Sequence, residues 1–249
     1  MQDNMIQATN PILSGFYPDP SICRVGEDFY LVNSSFAYFP GVPIFHSRNL
    51  AEWKQIGNIL DRPSQVPLNK SGHSGGIFAP TIRYYNGKFY MITTNVNFGG
   101  NFLVTADRPE GPWSEPYYLH APGIDPSLFF DDDGNCYYVG TRPNPAGVRY
   151  NGDWEIWVQR LDLEQMKLVG ESHAIWKGAL KDVIWPEGPH IYKKDGYYYL
   201  LIAEGGTGPE HAVTVARSKD IFGPYTGNPK NPILTHRHLG KDYPICYVG

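Results

Sequence analysis

Tyr17-Pro18-Asp19-Pro20-Ser21 sets an acid between two prolines at the head of an apolar run. Both prolines have a fixed φ, and Pro20 biases Asp19 toward extended backbone. The carboxylate is therefore expected to leave a stiff, extended chain just ahead of a strand, where proline is tolerated. The pattern then returns. Asp19-Pro20-Ser21-Ile22 is echoed by Ala79-Pro80-Thr81-Ile82, Asp125-Pro126-Ser127-Leu128 and Gly188-Pro189-His190-Ile191, with the prolines 60, 46 and 63 residues apart. Each copy reads as the start of an equivalent strand.

Every head opens a similar run of strands. The first predicts strands over residues 19–24, 29–34, 44–47 and 53–59, with a turn at Gly26-Glu27-Asp28. The second predicts 78–85, a hairpin turn at Asn86-Gly87, then 88–94, 102–106 and 117–119. The third predicts 126–130, a turn at Asp131-Asp132-Asp133-Gly134, then 136–140 and 155–161. The fourth predicts 189–193, a turn at Lys194-Asp195-Gly196, then 197–203 and 212–218. Residues 10–13 read as a short edge or closing segment, and residues 163–168 are the best helical candidate, too short to compete. A unit of three to four antiparallel strands recurring at this interval is the mark of a β-propeller. The expected fold class is thus all-β, with four nearly complete blades and the start of a fifth near residue 249. Residues 1–249 read as a single propeller domain, incomplete at its C-terminus.

Composition agrees with that class. The 249 residues are 41% apolar and 18% charged, as in a globular chain, and 18 Tyr, 22 Pro and 27 Gly favour strands and turns over helices. A net charge of −4 argues against nucleic acid or an anionic membrane as partner. No apolar run is long enough to span a bilayer. The first 30 residues have no basic start and no apolar stretch, so no signal peptide is read and a cytoplasmic location is expected. Cys23, Cys136 and Cys246 are too widely spaced for a zinc pattern and odd in number, so they read as free thiols.

In a propeller the innermost strands surround a central channel, so residues at equivalent heads are expected to meet at one end of it. Asp19 and Asp125 each stand just before their proline; in the fourth unit Glu187 stands one place earlier, and in the second Phe78 does. Three acids, with no basic residue at the equivalent heads, suit hydrolysis at a glycosidic bond. One protonated acid gives its proton to the leaving oxygen, and one carboxylate activates water on the opposite face. A third raises the acid's pKa by like-charge repulsion. Carboxyl groups about 6.5–9.5 Å apart leave room for the water and give inversion; about 5–5.5 Å gives retention. The competing reading is that Asp-Pro motifs simply open turns; two copies in register and a matching Glu favour a site.

These stretches, with Ser74-Gly75-Gly76-Ile77-Phe78-Ala79-Pro80 and Pro186-Glu187-Gly188-Pro189-His190, resemble glycoside hydrolase family 43, the five-bladed inverting β-xylosidases and α-L-arabinofuranosidases. The resemblance runs from about residue 10 onward. It implies Asp19 as general base, Glu187 as general acid and Asp125 as the carboxylate that tunes and orients the acid, in a pocket that binds and releases a terminal sugar of an oligosaccharide. It also implies that the fifth blade would open just after Tyr247-Val248-Gly249, and that a Ca²⁺ sometimes sits in the channel. The expected activity is an exo-acting β-xylosidase in xylan degradation, with an α-L-arabinofuranosidase as the alternative. From other classes, a non-catalytic carbohydrate-binding propeller and a retaining fructan-acting propeller with Asp19 as nucleophile remain open.

Phe36 and Phe78 are candidate walls for the apolar face of a sugar, and Trp185, two residues before Glu187, a candidate neighbour of it; core packing competes for all three. Asp131-Asp132-Asp133-Gly134 lacks the alternation and closing Glu of a calcium loop and reads as a solvated turn. The histidines show no metal-site spacing, so neither a catalytic metal nor any other cofactor is expected.

Overall fold

The computed structural model describes residues 7–180 and 183–240. They form four antiparallel sheets, and each proline-marked head opens one of them. The chain divides into two compact units, the first ending at Tyr118 and the second beginning at Leu119.

In the first unit, β1 (Ser21–Val25), β2 (Asp28–Val32), β3 (Gly41–Ser47) and β4 (Lys54–Leu60) pair in sequence order. So do β5 (Thr81–Tyr85), β6 (Lys88–Asn95), β7 (Gly100–Ala106) and β8 (Tyr117–Tyr118). Asn86 and Gly87 have φ of 47° and 78°, the mirror-image turn that the right-handed twist of two strands demands. Inward residues of the two sheets, among them Val32, Ile44, Ile82, Met91 and Phe102, form one core. Each such side chain removed from water contributes about 1.5–3 kcal/mol.

In the second unit, β9 (Ile124–Phe130), β10 (Cys136–Pro143), β11 (Trp154–Asp162) and β12 (Lys167–Trp176) make the third sheet. The fourth comprises β13 (Glu187–Lys194), β14 (Tyr197–Glu204), β15 (Ala212–Ser218) and β16 (Thr226–Gly227), with β17 (Leu234–Thr235) also on β15. The unit's core includes Phe129, Val139, Ile156, Ile191, Leu200 and Ile202.

Three expectations need correction. β12 has no counterpart among the expected strands: residues 163–166 turn into it, and its mixed burial hides this ten-residue strand from a period-two reading. Residues 10–13 make no strand. The prolines also behave in two ways. β1 and β5 begin just after Pro20 and Pro80, whereas Pro126 and Pro189 lie inside β9 and β13, at register shifts where a ladder donor is not needed. Cys246 and the expected start of a fifth blade lie outside the described residues. Among the described residues, no helix is long and apolar enough to cross a membrane.

Candidate active site

In the first unit, Asp19 is solvent-exposed and its backbone is not extended. Its φ is 53°, in the left-handed region, so the expectation drawn from Pro20 alone fails. The end of β2 imposes the turn. Buried Asn33 donates its side-chain amide to the carbonyls of Tyr17 and Pro18, and Ser34 donates its N–H to Pro18 O at 3.1 Å. Ser34 Oγ then donates to Asp19 Oδ2 at 2.5 Å. A non-glycine residue held at positive φ is costly and persists only where its surroundings over-determine it, a pattern common at functional sites.

Two residues beyond Ser34, Phe36 is also left-handed, at φ 47°. It exchanges backbone hydrogen bonds with Ile77, and its ring lies near those of Phe16 and Phe78, with centroids 5.8 and 5.7 Å away. Gly76 makes this approach possible: a Cβ there would stand 2.3 Å from Phe36 O. Phe36 and Phe78 are half-buried and Phe16 is 67% exposed, so the aromatic group is a surface feature and not core packing.

In the second unit, β9 and β13 run side by side as the first strands of their sheets. Asp125 is the second residue of β9 and Glu187 the first of β13; both are half-buried. Ser127 Oγ donates to Pro189 O at 2.5 Å, fixing the register between them. Asp125 repeats the left-handed turn of Asp19, with φ 50°, and Gly188, the pre-proline residue of the fourth sheet, has φ 56°. The hydroxyl of Tyr138 is fully buried near Asp125; burial and then the Asp125 charge keep it un-ionised, far above the ordinary tyrosine range.

Trp185 is left-handed too, at φ 45°, and its ring packs on Gly206, where a Cβ would stand 2.6 Å away. The carbonyl of Gly206 accepts from His211 Nδ1 at 2.8 Å, which sets that imidazole's tautomer. Trp185 therefore braces the turn after β14 as well as standing two residues before Glu187.

Several supporting groups carry no signal in the sequence. Glu204 ends β14 and is 1% exposed; burial pushes its carboxyl up, against the Ala179 N–H that it accepts at 3.1 Å. It borders a cavity of about 200 Å³ shared with Ile184 and Arg237. Asp131 is not the solvated turn residue expected. Its side chain is buried, takes bonds from Lys193 and from Tyr198 Oη at 2.6 Å, and ties β9 to β13 at the ends away from Asp125 and Glu187. Cys136 is buried and free, and burial pushes the Cys23 thiol up to about 12. Among the described residues no three His, Cys, Asp or Glu side chains gather closely enough to hold a metal ion.

Four antiparallel sheets, each opened at a proline-marked head and three of those heads carrying an acid, are the blades of a β-propeller. Residues 8–249 match glycosyl hydrolases family 43, and the chain belongs to that family. It is 76% identical over 248 residues to a xylosidase/arabinosidase of Butyrivibrio fibrisolvens, covering 98% of this chain and 48% of that relative. It is 45% identical to xylosidase/arabinosidase 43B of Humicola insolens, covering 96% and 45%. A solved family-43 structure retrieved from capybara gut metagenome superposes with a TM-score of 0.87 at 51% identity, over 92% of this chain and 44% of that one. The xylan β-1,4-xylosidase of Bacillus halodurans C-125 gives 0.85 at 47%, over 92% and 45%. The chain spans about half the length of the curated relatives it matches.

Proposed function

We propose that the protein carrying this chain is an inverting, exo-acting β-xylosidase that removes terminal xylose from xylo-oligosaccharides. The observation that supports the reading is the Ser127–Pro189 bond, which ties β9 to β13 two residues beyond Asp125 and Glu187. Relatives named xylosidase supply the substrate class.

In this mechanism Glu187 is the general acid. Its carboxylic proton passes to the glycosidic oxygen as the C1–O bond breaks. Water attacks C1 from the opposite face while the Asp19 carboxylate takes its proton, so the anomeric configuration inverts. Glu187 is left ionised and Asp19 protonated, and exchange with solvent resets both. Asp125 stays ionised; its negative charge disfavours ionisation of Glu187 and keeps the acid protonated before the bond breaks. The bond from Ser34 Oγ to Asp19 Oδ2 helps to orient that carboxylate. Phe36 and Phe78 offer faces for the sugar ring, with Trp185 near the leaving group.

Nuclear magnetic resonance of the first-formed anomer tests this. The β-xyloside should release α-xylose first, and early release of β-xylose would exclude the mechanism. A second reading, α-L-arabinofuranosidase, is favoured by the double name of the relatives in Butyrivibrio fibrisolvens and Humicola insolens. Paired aryl xyloside and arabinofuranoside assays separate the two.

A further inference from the structure

Residues 183–186 lead into β13 and deliver Glu187. None of the four belongs to a strand, yet the backbone of each is bonded. Tyr150 Oη donates to Val183 O at 2.8 Å. Gly205 N–H donates to Ile184 O at 3.0 Å, and Trp185 N–H donates to Gly152 O at 2.8 Å. Thr141 Oγ1 donates to Pro186 O at 2.5 Å. Apart from Gly205, these partners belong to the third sheet or to its 144–153 loop. Glu187 is thus aimed largely by a sheet other than its own.

Tyr150 and Gly152 stand in that loop, between β10 and β11, which is organised around one acid. Asp153 is 1% exposed. Its Oδ2 accepts Arg149 N–H at 3.0 Å and Arg149 Nε–H at 2.8 Å, while Oδ1 accepts Arg149 Nη2–H at 2.9 Å. Asn144 Nδ2 donates to Oδ2 at 3.3 Å, and the backbone of Asp153 bonds Asn144 and Tyr150. The guanidinium of Arg149 then lies 5.6 Å from the Tyr150 ring centroid. Gly152 is pressed against the lead-in, since a Cβ there would stand 2.9 Å from Ile184 Cβ. The loop has no other regular structure to hold Tyr150 and Gly152 where Val183 and Trp185 need them.

We propose that Asp153 is a positioning residue for Glu187: by folding the 144–153 loop around its carboxylate, it fixes the two contacts, Tyr150–Val183 and Gly152–Trp185, that aim the acid. The proposal rests on Glu187 being the general acid. A carboxyl displaced by about 1 Å still fits its pocket but protonates the leaving oxygen poorly, a loss on the order of 10²-fold. Only substrates that need that proton should register it.

The test compares Asp153→Asn and Tyr150→Phe in the full-length protein, the second deleting one oxygen on the surface. Each should lower kcat on xylobiose at least tenfold more than on 2,4-dinitrophenyl β-xyloside, whose leaving group needs little protonation. The alkaline limb of kcat/KM on xylobiose should move, and Asp153→Glu should recover part of the loss. Equal losses on both substrates with an unmoved alkaline limb would reduce Asp153 to a fold-stabilising residue. Amide hydrogen exchange in this 249-residue chain reads the same link without catalysis. Asp153→Asn should speed exchange at Trp185 at least tenfold and leave Ile191 and Leu200 unchanged. Unchanged exchange at Trp185 overturns the proposal whatever Glu187 does. If Glu187→Gln shows no leaving-group dependence, the acid assignment fails instead, and the exchange result still decides whether Asp153 holds the segment.

Discussion

Ser127 and Pro189, 62 residues apart in the chain, are joined by a buried 2.5 Å hydrogen bond from the serine Oγ to the proline carbonyl. Each lies two residues beyond a carboxylate, Asp125 and Glu187 respectively. The serine of the Asp-Pro-Ser motif is therefore part of the site's framework. In the first unit Ser21 plays a similar part, accepting from Ile82 N–H at 3.2 Å.

Removing that bond should loosen the second unit. Ser127→Ala leaves Pro189 O unpaired in a buried setting, which costs roughly 1–3 kcal/mol. Urea denaturation of this chain should show a lower midpoint with an unchanged slope. An unchanged midpoint would mean that water replaces the serine without loss.

Glu187→Gln should separate substrates by leaving group. General acid catalysis contributes about 10²–10⁴-fold, so xylobiose hydrolysis by the full-length protein should fall by that order. Hydrolysis of 2,4-dinitrophenyl β-xyloside should fall far less. The measurement is kcat on the two substrates side by side, and a parallel fall would remove Glu187 from the acid role.

Phe78→Ala should weaken sugar binding more than turnover. Burying an aromatic side chain is worth about 1.5–3 kcal/mol, so KM should rise about tenfold or more while kcat changes less. Calorimetric titration with xylobiose on a Glu187→Gln background should show the same weakening. A kcat loss at constant KM would place the ring elsewhere.

The Asp131–Lys193–Tyr198 group predicts a pH window for stability. Burial pushes the Asp131 carboxyl up, but the bonds from Lys193, Tyr198 and Asp132 N–H outweigh it and hold it below the usual carboxylate range. A carboxyl lowered in the folded state contributes stability above its unfolded pKa of about 3.9, lost as pH falls through the folded value. Lys193 is raised by its bonds to Asp131 and Asp132. Its contribution is complete below the unfolded pKa of about 10.4 and is lost as pH rises through the higher folded value. Asp131→Asn should thus destabilise the chain at pH 7, and its deficit against the parent should shrink at about pH 3 as the parent's carboxylate begins to protonate. Urea midpoints at the two pH values check this, and a constant difference between the chains would contradict it.

How legible the protein was depends on where each interaction partner sits. The hairpins at Asn86-Gly87 and Asp195-Gly196 are set by residues that tolerate positive φ, and their strands by apolar runs close by. Such features are local, so the four sheets and their order could be read directly. The recurrence of proline at each head marked Asp19, Asp125 and Glu187 as a set. β12 escaped because Ile175 alone is buried along Lys167–Trp176, and the exposure of the other residues does not alternate.

The chain alone, then, determined the blade repeat, the family and the three candidate acids, because each is written in neighbouring residues or in a short motif. Only tertiary structure decided how those acids are held. Pro20 and Pro126 favour extended backbone for the residue before them, yet Asp19 and Asp125 are left-handed. For Asp19 the deciding bonds come from Asn33 and Ser34, 15 residues away. The aim of Glu187 depends likewise on Thr141, 45 residues from Pro186, and on a loop folded around Asp153. A local preference of the backbone yields when several buried hydrogen bonds from distant strands oppose it, and only the assembled sheets bring those bonds into being.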